Sequence, residues 1–296
     1  ESLSRENVLK RFADIPPGTV PVVTGFIAST ENGETATLGR NGSNYTASLL
    51  ANFLNADELE NYTHVDGIYT ANPDLVADAR RISHLSYNEA NELANFGASI
   101  LHAKTIIPLL EKNIPLRIRN TFDLESPGSL ISAEPSAGGV QALSVIEDEA
   151  LIQLEGRGLL GKVGVDARIF KALGQSGISV GMVSQGSSER GIGLVVRASD
   201  AEKARVALEN EFEADLKSRD INRIVITPEV AVISLVGQDL SGFHKPFNAL
   251  IRNQVVPLLF NNAVTGRNVS LVVRRGEILK ALNVVHSQVF GVSKKI

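Results

Sequence analysis

Apolar positions in the first part of the chain fall into short β-rich runs separated by stretches of helical spacing. The run Val20–Ile27 (VPVVTGFI) reads as a buried strand. After a Gly-rich loop, Ala47, Leu49, Leu50, Phe53 and Leu54 fall on one side of a helix. Ser86 is followed three residues later by Glu89, a capping-box pattern that predicts a helix through Asn95, with Gly97 where a C-terminal stop belongs. A second helix is predicted through Thr105, Pro108, Leu109 and Leu110. Strands alternating with helices predict an α/β sheet with helices on both faces.

The pattern changes at Ser126–Gly139 (SPGSLISAEPSAGG), where Ser, Gly and Pro crowd together as they do at domain boundaries. Beyond it the sequence repeats. Ile152-Gln153-Leu154 recurs as Ile233-Ser234-Leu235, Phe170–Leu173 as Phe247–Leu250, and Leu194-Val195-Val196 as Leu271-Val272-Val273. The offset falls from 81 (233 − 152) to 77 (247 − 170), so the second copy has lost four residues between its first strand and its helix. Each copy reads strand, helix, two strands, helix, the βαββαβ order of small ferredoxin-like modules. In each copy a glycine pair (Gly156 and Gly161, Gly237 and Gly242) lies between first strand and first helix, where backbone N–H groups would be free to bind a carboxylate.

Composition narrows the function. With 296 residues and 43% hydrophobic side chains, the chain can bury cores for about two domains. A net charge of −4, with no basic cluster beyond Arg274-Arg275 and Lys294-Lys295, argues against nucleic acid or an anionic membrane as a partner. No apolar run reaches the roughly 18 to 20 residues that span a bilayer, and no charged-then-apolar signal opens the chain. The absence of cysteine excludes disulfides and thiolate chemistry and fits a reducing compartment, so a cytoplasmic location is expected. The five histidines (His64, His84, His102, His244, His286) show no paired spacing with carboxylates that suggests a metal site.

Two runs carry candidate chemistry. Leu38–Leu50 (LGRNGSNYTASLL) joins a Gly-rich loop bearing Arg40 to a helix start, where backbone N–H groups and the positive helix end meet: a place for an anion. Arg40 can bind a carboxylate bidentately or stand as a solvated loop residue; Ser43 can donate to the same anion or cap the helix. Asn61–Pro73 (NYTHVDGIYTANP) sets an Asp66-Gly67 turn between β-rich segments, with Tyr62, Thr63, His64 and Tyr69 around it, either a ligand rim or a turn with a packing tyrosine.

These two runs, together with Gly25–Thr30 (GFIAST), Leu85–Ile106 (LSYNEANELANFGASILHAKTI) and Leu116–Ile131 (LRIRNTFDLESPGSLI), resemble in order and spacing the C-terminal half of the aspartate kinase catalytic domain. The repeat resembles ACT domains, which bind amino acids at the interface between two copies. The resemblance implies a partial amino-acid-kinase three-layer α/β/α domain over residues 1–135 and tandem ACT domains over 136–292. The first ACT copy, about 149–227, would be inserted in the second, about 140–148 and 228–292, with Gln141–Ile146 giving the second copy a strand and 293–296 beginning a linker. The implied reaction is phosphorylation of L-aspartate by ATP with Mg²⁺, a transfer that needs both anions held in line and their charge screened. Substrate contacts fall on Arg40, Ser43 and Asn44, nucleotide contacts on Tyr62, Thr63, His64, Asp66, Gly67, Tyr69 and Lys104, and effector contacts on Gln185, Ser187, Ser188 and Asn262. The effector would be threonine or lysine, and the assembly a homodimer or larger homo-oligomer through ACT sheet edges.

Several residues depart from the family pattern. Asn44 stands where the family loop ends in Asp, His64 replaces the Asp of WTDVDG, Lys104 replaces an arginine, and Asn262 stands where the first copy has Gln185. No KFGGTS-type phosphate loop precedes Val20, so the chain is expected to be a fragment without kinase activity alone. GRNGS, the Gln185 run and the tail Gly291–Ile296 resemble bifunctional aspartokinase/homoserine dehydrogenases. In such a parent, NADP would belong to a dehydrogenase part outside these residues. The alternative expectation is a non-catalytic amino-acid sensor whose kinase-like half is degenerate.

Overall fold

The computed structural model describes residues 2–95, 103–156, 163–186 and 191–291. It divides into one unit of Glu1–Pro73, Ala79–Ala142 and Val236–Gln238, and another of Asp74–Asp78, Leu143–Leu235 and Asp239–Ile296.

The first unit opens with α1 (Ser2–Ala13) and a hairpin of β1 (Ile27–Ser29) and β2 (Thr35–Thr37), followed by α2 (Gly42–Leu54), β3 (Leu59–Thr63), β4 (His84–Ser86), α3 (Tyr87–Asn95), α4 (Ala103–Leu110), β5 (Leu116–Asn120) and β6 (Ser129–Ser132). Its mixed sheet has the order β3-β5-β6-β4, with β3 parallel to β5, β5 antiparallel to β6 and β6 parallel to β4. Leu85, Leu93, Leu109, Leu116, Ile118 and Ile131 fill the core between this sheet and its helices. The expected capping box forms: Glu89 Oε2 accepts from the Ser86 backbone N–H at 2.9 Å and from Ser86 Oγ at 2.7 Å, and α3 is described through Asn95. α4 contains the Thr105–Leu110 segment as predicted, with Pro108 inside it.

Two expectations fail. Val20–Ile27 is not a buried strand: Val20 and Val22 are 84% and 95% exposed, and only Ile27 enters a strand, pairing with Thr37 of β2. An apolar run becomes a strand only where a sheet edge accepts its backbone hydrogen bonds, and the four-stranded sheet does not include this one. On α2 the fully buried positions are Gly42, Ser48, Ala51, Asn52 and Phe53, so of the predicted stripe only Phe53 is fully covered. The reason is polar: α2 packs on α4, and Asn52 turns inward to donate to the Pro108 carbonyl at 2.7 Å while Lys112 Nζ donates to the Asn52 carbonyl at 2.7 Å.

The elements that follow are β7 (Gly139–Glu155), α5 (Val165–Gln175), β8 (Met182–Gln185), β9 (Gly191–Arg197), α6 (Ala201–Glu211), α7 (Glu213–Lys217), β10 (Arg223–Gln238), α8 (His244–Arg252), β11 (Leu259–Asn262), β12 (Asn268–Arg274) and α9 (Ile278–Phe290), and all of them lie in the second unit except Gly139–Ala142 of β7 and Val236–Gln238 of β10. The duplication is visible in the elements. β8 and β11, β9 and β12, and α6 and α9 start 77 residues apart (259 − 182, 268 − 191, 278 − 201). One six-stranded sheet, ordered β11-β12-β10-β7-β9-β8, serves both copies, with the long strands β7 and β10 at its centre. Gln141–Ile146 lies in β7, beside β10. Each central strand contains one left-handed residue, Asp148 (φ 61°) and Glu229 (φ 51°). Ala150, Ile152 and Leu154 of β7 and Ile192, Leu194 and Val196 of β9 pack with Ile169 and Leu173 of α5 and Leu208 of α6. Alternate residues on the other sheet face, Leu151 and Val195, join Met182, Val230, Val232 and Val272 in a separate cluster. The strand edges β8 and β11 approach each other, so this sheet folds back on itself.

Candidate active and effector sites

The candidate substrate residues stand at the start of α2. Gly39 (φ 74°) and Asn41 (φ 58°) flank Arg40 in the left-handed region, and the Gly42 N–H closes the turn on the Gly39 carbonyl at 3.1 Å. Two glycines let the preceding segment press on the helix end: a Cβ on Gly25 would lie 2.9 Å from Ser43 Cα, and one on Gly42 2.9 Å from Leu38 Cβ and 3.0 Å from the Phe26 ring. Thr46 Oγ1 donates to the Gly42 carbonyl at 2.9 Å and accepts from the Phe26 N–H at 3.3 Å, fixing the loop against the first helical turn. The Asn41 side chain makes no cap bond. Arg40 and Ser43 are exposed, Asn44 is half-buried, and Arg40 has no acidic partner among the described residues. A helix N-terminus and a free guanidinium are thus presented together, an arrangement suited to a carboxylate or phosphate.

The candidate nucleotide residues form a second cluster at the ends of the parallel strands β3 and β5. Tyr62, 44% exposed, donates to Glu60 Oε2 at 2.9 Å, Glu60 pairs with Arg119 at 2.9 Å, and the Arg119 guanidinium lies 5.6 Å from the Tyr62 ring centroid. The hydrogen bond from Arg119 holds the Glu60 carboxyl below its usual range, and the hydrogen bond to Glu60 raises the Tyr62 phenol. Thr63 Oγ1 lies 3.4 Å from His64 Nδ1, and the Thr63 carbonyl accepts from the Thr121 N–H at 2.8 Å. Asp66 accepts from Asn120 Nδ2 at 2.5 Å and from the Tyr69 hydroxyl at 3.3 Å. Burial, with Asp66 next, pushes the Tyr69 phenol up. Gly67 is required as glycine: at φ 142° its Cβ would lie 2.4 Å from Ser129 Oγ. That hydroxyl accepts from the Ile68 N–H at 2.9 Å and donates to the Ile82 carbonyl at 2.5 Å.

Lys104 is exposed in the first turn of α4. Among the described residues no hydrogen bond joins Arg40, Ser43 or Asn44 to Asp66, so the structure holds two separate clusters. Sequence reasoning missed Glu60, Arg119, Asn120 and Ser129, the residues that hold Tyr62, Asp66 and Gly67 in place. The available signal was the Glu58–Glu60 and Arg117–Arg119 alternation on runs that pair in parallel, Glu60 opposite Arg117 and Tyr62 opposite Arg119.

In the second unit, Gln185 ends β8 and Asn262 ends β11, both exposed and 77 residues apart (262 − 185). Ser187 and Ser188 lie outside the described residues, as do Gly97, His102, Gly161 and Glu189. The glycine pairs are not free carboxylate cradles at their first members. Gly156 and Gly237 are buried, and a Cβ on either would meet backbone, Asp220 O at 2.1 Å and Gly139 O at 2.0 Å. These glycines permit close strand packing instead.

Comparison with known proteins accords with these features. Residues 1–120 match the amino acid kinase family and residues 152–212 match the ACT domain. An amino acid kinase segment followed by an ACT domain defines the class. The chain is similar to aspartokinases over most of its length. It is 36% identical to a bifunctional aspartokinase/homoserine dehydrogenase of Haemophilus influenzae, over 100% of this chain and 37% of that protein. It is 31% identical to lysine-sensitive aspartokinase 3 of Escherichia coli over 77% of this chain and 52% of that protein. Aspartate kinase from Clostridium acetobutylicum superposes with a TM-score of 0.84 at 27% identity, covering 98% of this chain and 67% of that one. E. coli aspartokinase III in complex with aspartate and ADP gives 0.79 at 27% identity, covering 98% and 64%. The chain therefore spans little more than a third of the Haemophilus protein. No helix among the described residues is long and apolar enough to cross a membrane.

Proposed function

We propose that this chain is the C-terminal part of an aspartate kinase catalytic domain with its tandem ACT regulatory region, divided at residues 135 and 136 and carrying the first ACT copy, about 149–227, inside the second. The whole enzyme would transfer the γ-phosphoryl group of ATP to the side-chain carboxylate oxygen of L-aspartate, releasing ADP, as the first step toward aspartate-derived amino acids. The observation that carries this reading is the exposed Arg40, without an acidic partner among the described residues, at a helix N-terminus where Asn41 makes no side-chain cap bond. There the guanidinium, with Ser43 and Asn44, would hold the substrate's carboxylate. Tyr62 offers an exposed ring for adenine, backed by Glu60 and Arg119, and Thr63, His64, Asp66, Gly67, Tyr69 and Lys104 would line the nucleotide side. Asp66 already satisfies Asn120 and Tyr69, and the described residues include no group of three acids or histidines able to hold a metal. Mg²⁺ would therefore arrive on the nucleotide phosphates, where it screens charge.

The similarity to bifunctional enzymes supports a parent that also carries a homoserine dehydrogenase using NADP. Threonine or lysine would act at Gln185, Ser187, Ser188 and Asn262 by preferring one global state. A cytoplasmic homo-oligomer is the expected form. Aspartate-dependent ADP formation tests the reading. The complete parent should turn over and this chain alone should not. A folded parent without turnover would leave the sensor reading, and turnover by the isolated chain would overturn its status as an incomplete kinase.

A further inference from the structure

The arginines of β5 are neutralised where they stand, Arg117 by Glu58 at 2.6 Å and Arg119 by Glu60 at 2.9 Å. Arg81 is not. It is half-buried and, among the described residues, forms no ion pair; its guanidinium makes one hydrogen bond, from Nη1 to the Ser126 hydroxyl at 2.6 Å. Taking a cation partly out of water costs free energy that a neutral hydroxyl does not return. Such a departure from paired burial is expected where a ligand supplies the missing charge.

The backbone fixes where this charge sits. Tyr69 pairs with Arg81 across an antiparallel bridge, and on either side of it the Thr70 N–H donates to the Arg80 carbonyl and the Ile82 N–H to the Ile68 carbonyl, both at 2.8 Å. Residues directly opposite in such a ladder project to the same face, so Arg81 emerges beside Tyr69. Burial and then Asp66 raise the Tyr69 phenol, and the Arg81 charge pulls it back, as a cation close to the hydroxyl does. The stem of Arg81 passes Gly67, where a Cβ would lie 3.2 Å from Arg81 Cδ. Asp66, the acid of this cluster, is bonded to Asn120 and Tyr69 and makes no ion pair with Arg81. Four of the five N–H donors of the fork remain for an oxyanion that presents two or more oxygens. Phosphate is the oxyanion that a nucleotide brings to this rim.

We propose that Arg81 is a phosphate-binding residue, its guanidinium receiving the polyphosphate of the nucleotide whose base lies at Tyr62. The proposal rests on the reading that Tyr62 to Tyr69 line the nucleotide side. Calorimetric titration of the complete parent with ADP and, separately, with adenosine tests it, because adenosine keeps the base and lacks the phosphates. Arg81→Gln should weaken ADP about tenfold or more and leave adenosine unchanged. The loss should shrink at high salt, where the wild type itself binds ADP less tightly. Arg81→Lys, which keeps the charge without the fork, should recover part of the ADP affinity, and it keeps the test valid if Arg81→Gln fails to fold. Ser126→Ala removes the one protein bond of the guanidinium and should leave ADP within about twofold of wild type. If Arg81 served only to clasp Ser126, Ser126→Ala and Arg81→Gln would weaken ADP and adenosine alike. That result, or ADP binding unchanged in Arg81→Gln, would overturn the proposal and leave the nucleotide reading standing; a folded wild-type parent that binds no ADP would overturn both.

Discussion

Asn120 at the end of β5 donates its side-chain amide to Asp66 in the bend after β3, at 2.5 Å. This bond ties the ends of two parallel neighbours and, with Tyr69 on the other carboxylate oxygen, fixes Asp66 from both sides. Replacement Asn120→Leu strands one half of a part-buried carboxylate, and a bond to a charged group contributes about 1.5–3 kcal/mol. Urea unfolding of Asn120→Leu should show a loss of that size. ADP affinity of the complete parent should fall with it; a variant as stable as the wild type would mean that Asp66 finds water instead.

Gly67 and Gly33 both have positive φ, 142° and 83°, but their surroundings differ. A Cβ at Gly33 meets nothing within 4 Å, whereas at Gly67 it meets Ser129 Oγ, the hydroxyl that satisfies Ile68 and Ile82. Gly33→Ala should cost about 1 kcal/mol from backbone strain alone. Gly67→Ala adds displacement of Ser129 and should cost roughly 2–4 kcal/mol. Parallel denaturation curves separate the two, and equal costs would place the burden on φ alone.

Tyr87 gives stability a pH dependence. It is 2% exposed, donates to the Ile114 carbonyl at 2.5 Å, and burial pushes its phenol up to about 12. The unfolded phenol ionises near its ordinary value of about 10, so between these values the native state keeps a proton that the unfolded state has lost. Stability from this group is complete below about pH 10 and is lost as pH rises toward 12. Tyr69, also raised, acts in the same direction. Urea unfolding at pH 8, 10 and 11 should show a decline, reaching about 1 kcal/mol by pH 11 from Tyr87, and Tyr87→Phe should be less steep. Identical slopes would show that this hydroxyl is not the group responsible.

The features legible in the sequence were those set by local chemistry or by repetition. Ser86 and Glu89 announce a helix start because their bonds close within three residues, and the 77-residue offset survives as matched strands and helices. Val20–Ile27 was misread because a strand depends on an edge elsewhere in the chain. The buried face of α2 was misread because Asn52 finds its partners at Pro108 and Lys112, more than fifty residues away. The sharing of β7 and β10 by both copies was only partly visible, since a repeat unit does not reveal which strands its neighbour borrows. The supports of the candidate site, Asn120, Arg119 and Ser129, act across strands whose register no local pattern specifies.

Ser86 and Glu89 also differ in what their loss should cost. Ser86→Ala removes the bonds its hydroxyl makes with Glu89 and should cost about 1 kcal/mol, as for other helix caps. Glu89 is fully buried, and its second oxygen accepts from Ser136 Oγ at 2.5 Å, so Glu89→Leu leaves the buried Ser86 N–H unsatisfied and removes the tie to Ser136 as well. A loss of about 3 kcal/mol or more is expected. Comparable melting temperatures for the two variants would mean that Glu89 acts as a cap and nothing more.

Arg40 separates folding from function most cleanly. It is exposed and has no acidic partner among the described residues, so Arg40→Ala should leave unfolding within about 0.5 kcal/mol of wild type. In the complete parent the same change should raise the KM for aspartate at least tenfold. Arg40→Lys should recover only part of that, because an ammonium keeps the charge but not the two-pronged donor geometry. Full recovery by lysine would reduce the role of Arg40 to electrostatic attraction, and an unchanged KM in Arg40→Ala would remove it from the substrate site.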